Sequence, residues 1–162
     1  MKYQEKKSVL FVCLGNICRS PTAHGVFRAL VEQRGMAHLI EIDSAGTAAY
    51  HIGNPPDHRS VTAARQRGYD LSDLRARQAI SADFEHYDYI MAMDKENLSN
   101  LKAICPTGFQ GHLGLFLDLA ELSVREVPDP YYGGPSGFDQ VLDLVEAASV
   151  ALLDRIAKEL NQ

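Results

Sequence analysis

The chain has few cysteines, no excess of basic charge and no apolar stretch of membrane-spanning length. Its 3 cysteines, Cys13, Cys18 and Cys105, lack the dense spacing of a disulfide scaffold and point to a reducing cytoplasm. With 16 Lys and Arg against 21 Asp and Glu, the net charge of −5 leaves no basic face for nucleic acid. Residues 1–7 look basic, but the apolar run behind them ends at Leu14, too soon for a signal-peptide core. They read as a flexible extension, and no membrane partner is expected. Neither G-x-x-x-x-G-K-[ST] nor G-x-G-x-x-G occurs, which excludes the two common nucleotide-phosphate loops. No His or Cys spacing resembles a zinc or iron–sulfur site, so metal-free, cofactor-free chemistry is expected.

What is present is a chain of 162 residues, 46% of them apolar, without repeats or a linker, which fits one domain over residues 1–162. Strand-like runs at 9–12, 39–42, 87–91 and 113–117 alternate with helical patterns at 22–34, 57–67, 95–104 and 138–160. Gly35, Gly68 and Pro106 stop the first three helices, and Asp57 and Asp94 stand at expected N-caps. Alternating elements of this kind imply an α/β fold: a parallel sheet with helices on both faces in three layers, with ligands at the carboxyl ends of its strands.

The most informative segment joins the first strand to the first helix. Cys13 ends an apolar run, Gly15 and Asn16 tolerate positive φ angles, and Arg19 follows Cys13 by six positions. Loop amides and a helix dipole favour an anion at such a place, and they make a cysteine there a nucleophile at neutral pH. The Arg19 fork matches two phosphoryl oxygens. Ser20 before Pro21 reads as an N-cap with proline in the first helical position, and its hydroxyl could also serve Cys13. Cys18 is either a loop-packing residue or a partner for a reversible disulfide with Cys13 after oxidation.

The segment Cys13-Leu-Gly-Asn-Ile-Cys-Arg-Ser-Pro21 resembles the signature of the low-molecular-weight protein tyrosine phosphatases. Ser44-Ala-Gly-Thr47, Gly53-Asn-Pro-Pro-Asp57-His-Arg59, Ala76-Arg-Gln78 and Asp129-Pro-Tyr-Tyr132 are similar to that family's later blocks and stand in the same order. The resemblance implies a four-stranded, Rossmann-like sheet and a phosphate-binding loop of Leu14, Gly15, Asn16, Ile17, Cys18 and Ser20. Tyr50, Tyr131 and Tyr132 would form an aromatic slot for the substrate ring. Many members carry a histidine four residues before the glutamine of the Arg-Gln pair, where it helps to brace the loop asparagine. This chain has Leu74 there, leaving Ser44 to bond Asn16 and Asp73 next door.

Expelling a phenolate or alkoxide from phosphorus also calls for an acid, worth about 10²–10⁴ in rate. Asp129 lies between prolines in a shaped loop and by local pattern starts a turn; the resemblance makes it the general acid and base. Tyr131 and Tyr132 are also candidates for phosphorylation, and His51 and His58 read as surface or capping residues. The implied reaction is hydrolysis of phosphotyrosine through a phosphocysteine. Partners would be phosphotyrosine-bearing proteins, a tyrosine kinase among the candidates, and inhibitory phosphate-like oxyanions. Three alternatives follow from related proteins. Arginine phosphatases resemble one another in a threonine where this loop has Ile17 and a small or phenyl residue at Tyr131. Arsenate reductases need a further cysteine pair where only Cys105 remains. A non-catalytic phosphotyrosine-binding module would lack the acid or the nucleophile.

Overall fold

The computed structural model describes residues 5–161 and shows a four-stranded parallel sheet between two layers of helix. In chain order the elements are β1 (Lys7–Cys13), α1 (Arg19–Gln33), β2 (Ile40–Gly46), α2 (His58–Gln66), α3 (Asp83–His86), β3 (Tyr89–Ala92), α4 (Lys95–Ile104), β4 (His112–Leu115), a 3₁₀ turn (Phe116–Leu119) and α5 (Ser136–Leu160). The sheet order is β2-β1-β3-β4, with β1 pairing on both sides. Such a central strand is covered on both faces, which explains the unbroken apolar run from Val9 to Val12.

Alternate residues of β1 feed two cores. Val9, Phe11 and Cys13 join the cluster built with α1 and α5, while Leu10 and Val12 pack towards Phe84 and Leu101 on the other face. Phe11 is fully buried and meets Phe27 at 5.6 Å and Phe116 at 5.0 Å, both edge-to-face. Among the described residues, no helix is long and apolar enough to cross a membrane.

Several expected boundaries shift for local reasons. β1 already begins at Lys7, whose N–H donates to the Leu39 carbonyl at 2.9 Å, inside the expected extension; residues 1–4 lie outside the described ones. The fourth apolar run splits into a strand that ends at Leu115 and the 3₁₀ turn, because Phe116 leaves the sheet to pack on Phe11. Helix α1 starts at Arg19 with Cys18 at its N-cap and no side-chain cap, so Ser20 and Pro21 already lie within the first turn. Asp57 and Asp94 do cap their helices, accepting from the N–H groups of Arg59 and Asn97.

Candidate active site

The carboxyl end of β1 opens into a cavity of about 270 Å³ lined by Cys13, Leu14, Gly15, Ile17, Cys18, Arg19, Tyr50, His51, Asp129, Tyr131 and Tyr132. Nearly every residue singled out from the sequence reaches it. Asn16, Ser20 and Ser44 stand behind the wall.

The loop is held from inside. Cys13 Sγ lies 3.0 Å from Ser20 Oγ and accepts the Asn16 N–H at 3.3 Å. Asn16 has φ 58°, the left-handed conformation that asparagine tolerates, and its side chain bridges two elements. Its amide donates to Ser20 Oγ at 2.8 Å, and its carbonyl oxygen accepts the Arg77 N–H at 3.0 Å. The Arg77 guanidinium in turn holds Asp43 and Asp83, which fixes the segment reaching Asn16. Ser20 therefore serves the sulfur and Asn16 rather than capping the helix, and its hydroxyl also donates to the Ala45 carbonyl at 3.3 Å. Gly15 does not adopt a positive φ. Its reason is space, since a Cβ there would come within 2.9 Å of His51 Cδ2. Gly46, opposite Cys13 in the sheet, is required similarly, because a Cβ would meet the Leu14 carbonyl oxygen at 2.7 Å.

Ser44 does not bond Asn16. Its Oγ pairs with His24 Nδ1 at 3.1 Å, one helical turn beyond Ser20 on α1, while Leu74 packs in the core. The buried His24 is held down at about 4, by burial first and then by Arg28, against the pull of Asp43 and Asp73. Asp73 instead forms a bidentate pair with Arg28.

Arg19 is the buried cation of the site. Nη1 donates to Asp94 Oδ2 at 2.6 Å and to the Val127 carbonyl at 3.1 Å, and Nη2 stands 3.8 Å from Asp129 Oδ2. Burial alone would lower its pKa, but the anionic surroundings of Cys13, Asp94 and Asp129 outweigh that and raise it. The Asp129 loop is anchored where it starts, since the Val127 N–H donates to the Met93 carbonyl at 2.8 Å beyond the end of β3. Asp129 Oδ1 accepts the Tyr131 N–H at 3.1 Å, so the turn-starting and site-facing readings of this residue hold together.

The tyrosines form an exposed rim. Tyr131 stacks edge-on against Tyr132 at 4.9 Å and lies under the Arg59 guanidinium, 5.2 Å from its ring centre. Cys18, like Cys13 and Cys105, forms no disulfide. Burial, helped by Asp57, Cys13 and Asp129, pushes it up to about 12, so it rests protonated.

Two site residues escaped the sequence reading. Asp94 was fully explained as an N-cap, yet its second oxygen holds Arg19. His51 read as a surface histidine, yet its ring lies in the cavity wall against Gly15. The only signal for His51 was its place after Tyr50.

A parallel sheet whose central strand ends in a loop carrying a cysteine and an arginine round one cavity defines an α/β domain with a place suited to an anion. The chain belongs to the family of low molecular weight phosphotyrosine protein phosphatases, phosphoric monoester hydrolases, whose model matches residues 8–162. It is 47% identical over 141 residues to the low molecular weight phosphotyrosine protein phosphatase of Schizosaccharomyces pombe, covering 85% of this chain and 90% of that one. The crystal structure of a protein tyrosine phosphatase from Entamoeba histolytica with Hepes in its active site superposes with TM-score 0.91 at 38% identity, covering 95% of this chain and 99% of that one. A Drosophila arginine phosphatase structure superposes with TM-score 0.85 at 29% identity, covering 91% and 96%.

Proposed function

We propose that this protein hydrolyses phosphotyrosine in proteins through a phosphocysteine intermediate. The observation that carries the reading is that Cys13, Arg19 and Asp129 line one cavity walled by tyrosines. Cys13 sulfur attacks phosphorus, forming the S–P bond as the bond to the tyrosyl oxygen breaks. Arg19 and the loop N–H groups bind the equatorial oxygens, on which charge accumulates. Asp129 gives its proton to the leaving oxygen, and its carboxylate then takes one from the water that attacks phosphorus and releases phosphate. The Asn16–Ser20 pair beside the sulfur keeps the loop in its binding shape before substrate arrives.

The walls favour an aromatic ester. Tyr50, Tyr131 and Tyr132 offer ring faces to a flat substrate, and Ile17 presents an apolar side chain where a hydroxyl would suit a guanidinium leaving group. The likeness to an arginine phosphatase structure makes phosphoarginine the competing substrate. Free thiols fit a cytoplasmic setting, and a phosphotyrosine-bearing protein, a tyrosine kinase among them, fits the rim.

Hydrolysis of matched phosphotyrosine, phosphoserine and phosphoarginine peptides by the parent protein and by Cys13→Ser tests this reading. The expected result is turnover of phosphotyrosine that Cys13→Ser abolishes while phosphate binding persists. Turnover by Cys13→Ser, or preference for phosphoarginine, contradicts it.

A further inference from the structure

The Tyr131 ring lines the cavity from a loop without helix or strand, between the 3₁₀ turn and α5. Two local bonds shape its backbone, Tyr131 N–H to Asp129 Oδ1 at 3.1 Å and Gly133 N–H to the Pro130 carbonyl at 3.1 Å, and neither sets the direction of the ring. The adjacent Tyr132 is itself exposed and offers little support. Firmer support comes from Arg59, on the first turn of α2. Its guanidinium carbon lies 5.2 Å from the Tyr131 ring centre and 4.8 Å from that of Phe138, which is buried in the first turn of α5. Arg59 lines a separate groove with Phe138 rather than the cavity, so it leaves the substrate's side of the ring open.

The guanidinium is aimed by its own partners. Arg59 Nε donates to Asp57 Oδ1 and Nη2 to Asp57 Oδ2, each at 3.0 Å, and the same carboxylate accepts the Arg59 N–H at 2.9 Å. The Asp57 N–H donates to the Ile17 carbonyl at 2.7 Å, so this support begins on the phosphate-binding loop. A planar cation gripped by its edge keeps its face free to stack, which a lysine ammonium cannot match. The contacts thus run from the loop that would hold the phosphoryl group to the ring that would meet the tyrosyl group. Building on the phosphotyrosine reading, we propose that Arg59 is a positioning residue: it holds the Tyr131 ring in place as a wall of the slot and so sets how strongly the site prefers an aromatic phosphoryl ligand over an aliphatic one.

The test measures the affinities of benzylphosphonate and methylphosphonate, which differ only by the phenyl ring. Calorimetric titrations compare the parent, Arg59→Met, Arg59→Lys, Tyr131→Leu and the protein carrying both Arg59→Met and Tyr131→Leu. The readout is the ratio of the benzyl to the methyl affinity. Arg59→Met should lower it about threefold, the size of one exposed contact between a cation and a ring, and Arg59→Lys should lower it less. Where Tyr131 is already Leu, Arg59→Met should leave the ratio where it was. An unchanged ratio in Arg59→Met overturns the proposal, as does the same fall with and without Tyr131. Equal weakening of both ligands also overturns it, because Arg59 would then only support the phosphate-binding loop through Asp57. Turnover of a phosphotyrosine peptide by the same proteins separates the two readings. An Arg59-dependent ratio in a protein that hydrolyses no phosphotyrosine contradicts the phosphatase reading alone; a flat ratio in one that does contradicts this one alone.

Discussion

The floor and the rim of the cavity are built differently. On the floor, Asn16, Arg19 and Ser20 are 3%, 3% and 0% exposed, and their polar atoms are bonded to one another, to the sheet or to Asp94. On the rim, Tyr50 and Tyr132 are 74% and 91% exposed and engage mainly neighbouring rings. A buried floor tied down by these bonds holds one geometry, and under the proposed reaction that is where rigidity counts most. An exposed rim loses little when it changes, so that is where selectivity can vary without harming the chemistry.

Substitutions on the two levels should therefore differ in size and in the kinetic constant they move. The largest effect is expected for Arg19→Lys, which keeps the charge and loses the fork: steady-state kinetics should show kcat lower by on the order of 10²-fold or more. Next comes His24, behind the floor. Its imidazole is held near 4 in the fold against an ordinary 6.5, so below pH 6.5 the unfolded chain binds a proton that the folded chain refuses. Stability should thus be full above pH 6.5 and fall as pH drops towards 4, by about 3 kcal/mol in all. Urea unfolding at stepped pH checks this, and His24→Gln should flatten the slope over that window. Asp94→Asn should be milder, because asparagine still caps α4 while the charge holding Arg19 is lost; kcat should fall about tenfold with little change in melting temperature. Tyr132→Ala, on the rim, should change KM about twofold to fivefold and leave kcat nearly untouched. A large kcat loss there would erase the distinction between the levels.

What could be read from the sequence divides along a similar line. The segment β1–loop–α1 was legible because an apolar run, a glycine, an asparagine and a helical period follow one another within a few residues. The sheet order was not, since crossovers depend on contacts between distant segments. Ser20 shows how a local rule fails: before Pro21 it reads as a cap, but the chain starts winding at Arg19 and the hydroxyl is taken by Cys13 and Asn16. Asp94 had a sufficient local explanation, which hid its long-range bond to Arg19. Ser44 reads as a partner for Asn16 but pairs with His24 instead, a contact that nothing in the sequence signals. His51 became visible only when folding laid its turn against Gly15.

The most direct measurement is rapid-quench mass spectrometry of Asp129→Ala mixed with an aryl phosphate, a good leaving group that needs the acid less than the second step needs the base. One phosphoryl group should accumulate on Cys13, matched by a burst of released phenol. Steady release of phosphate with no protein-bound phosphoryl group, or a label on another residue, would contradict the central role given to that sulfur.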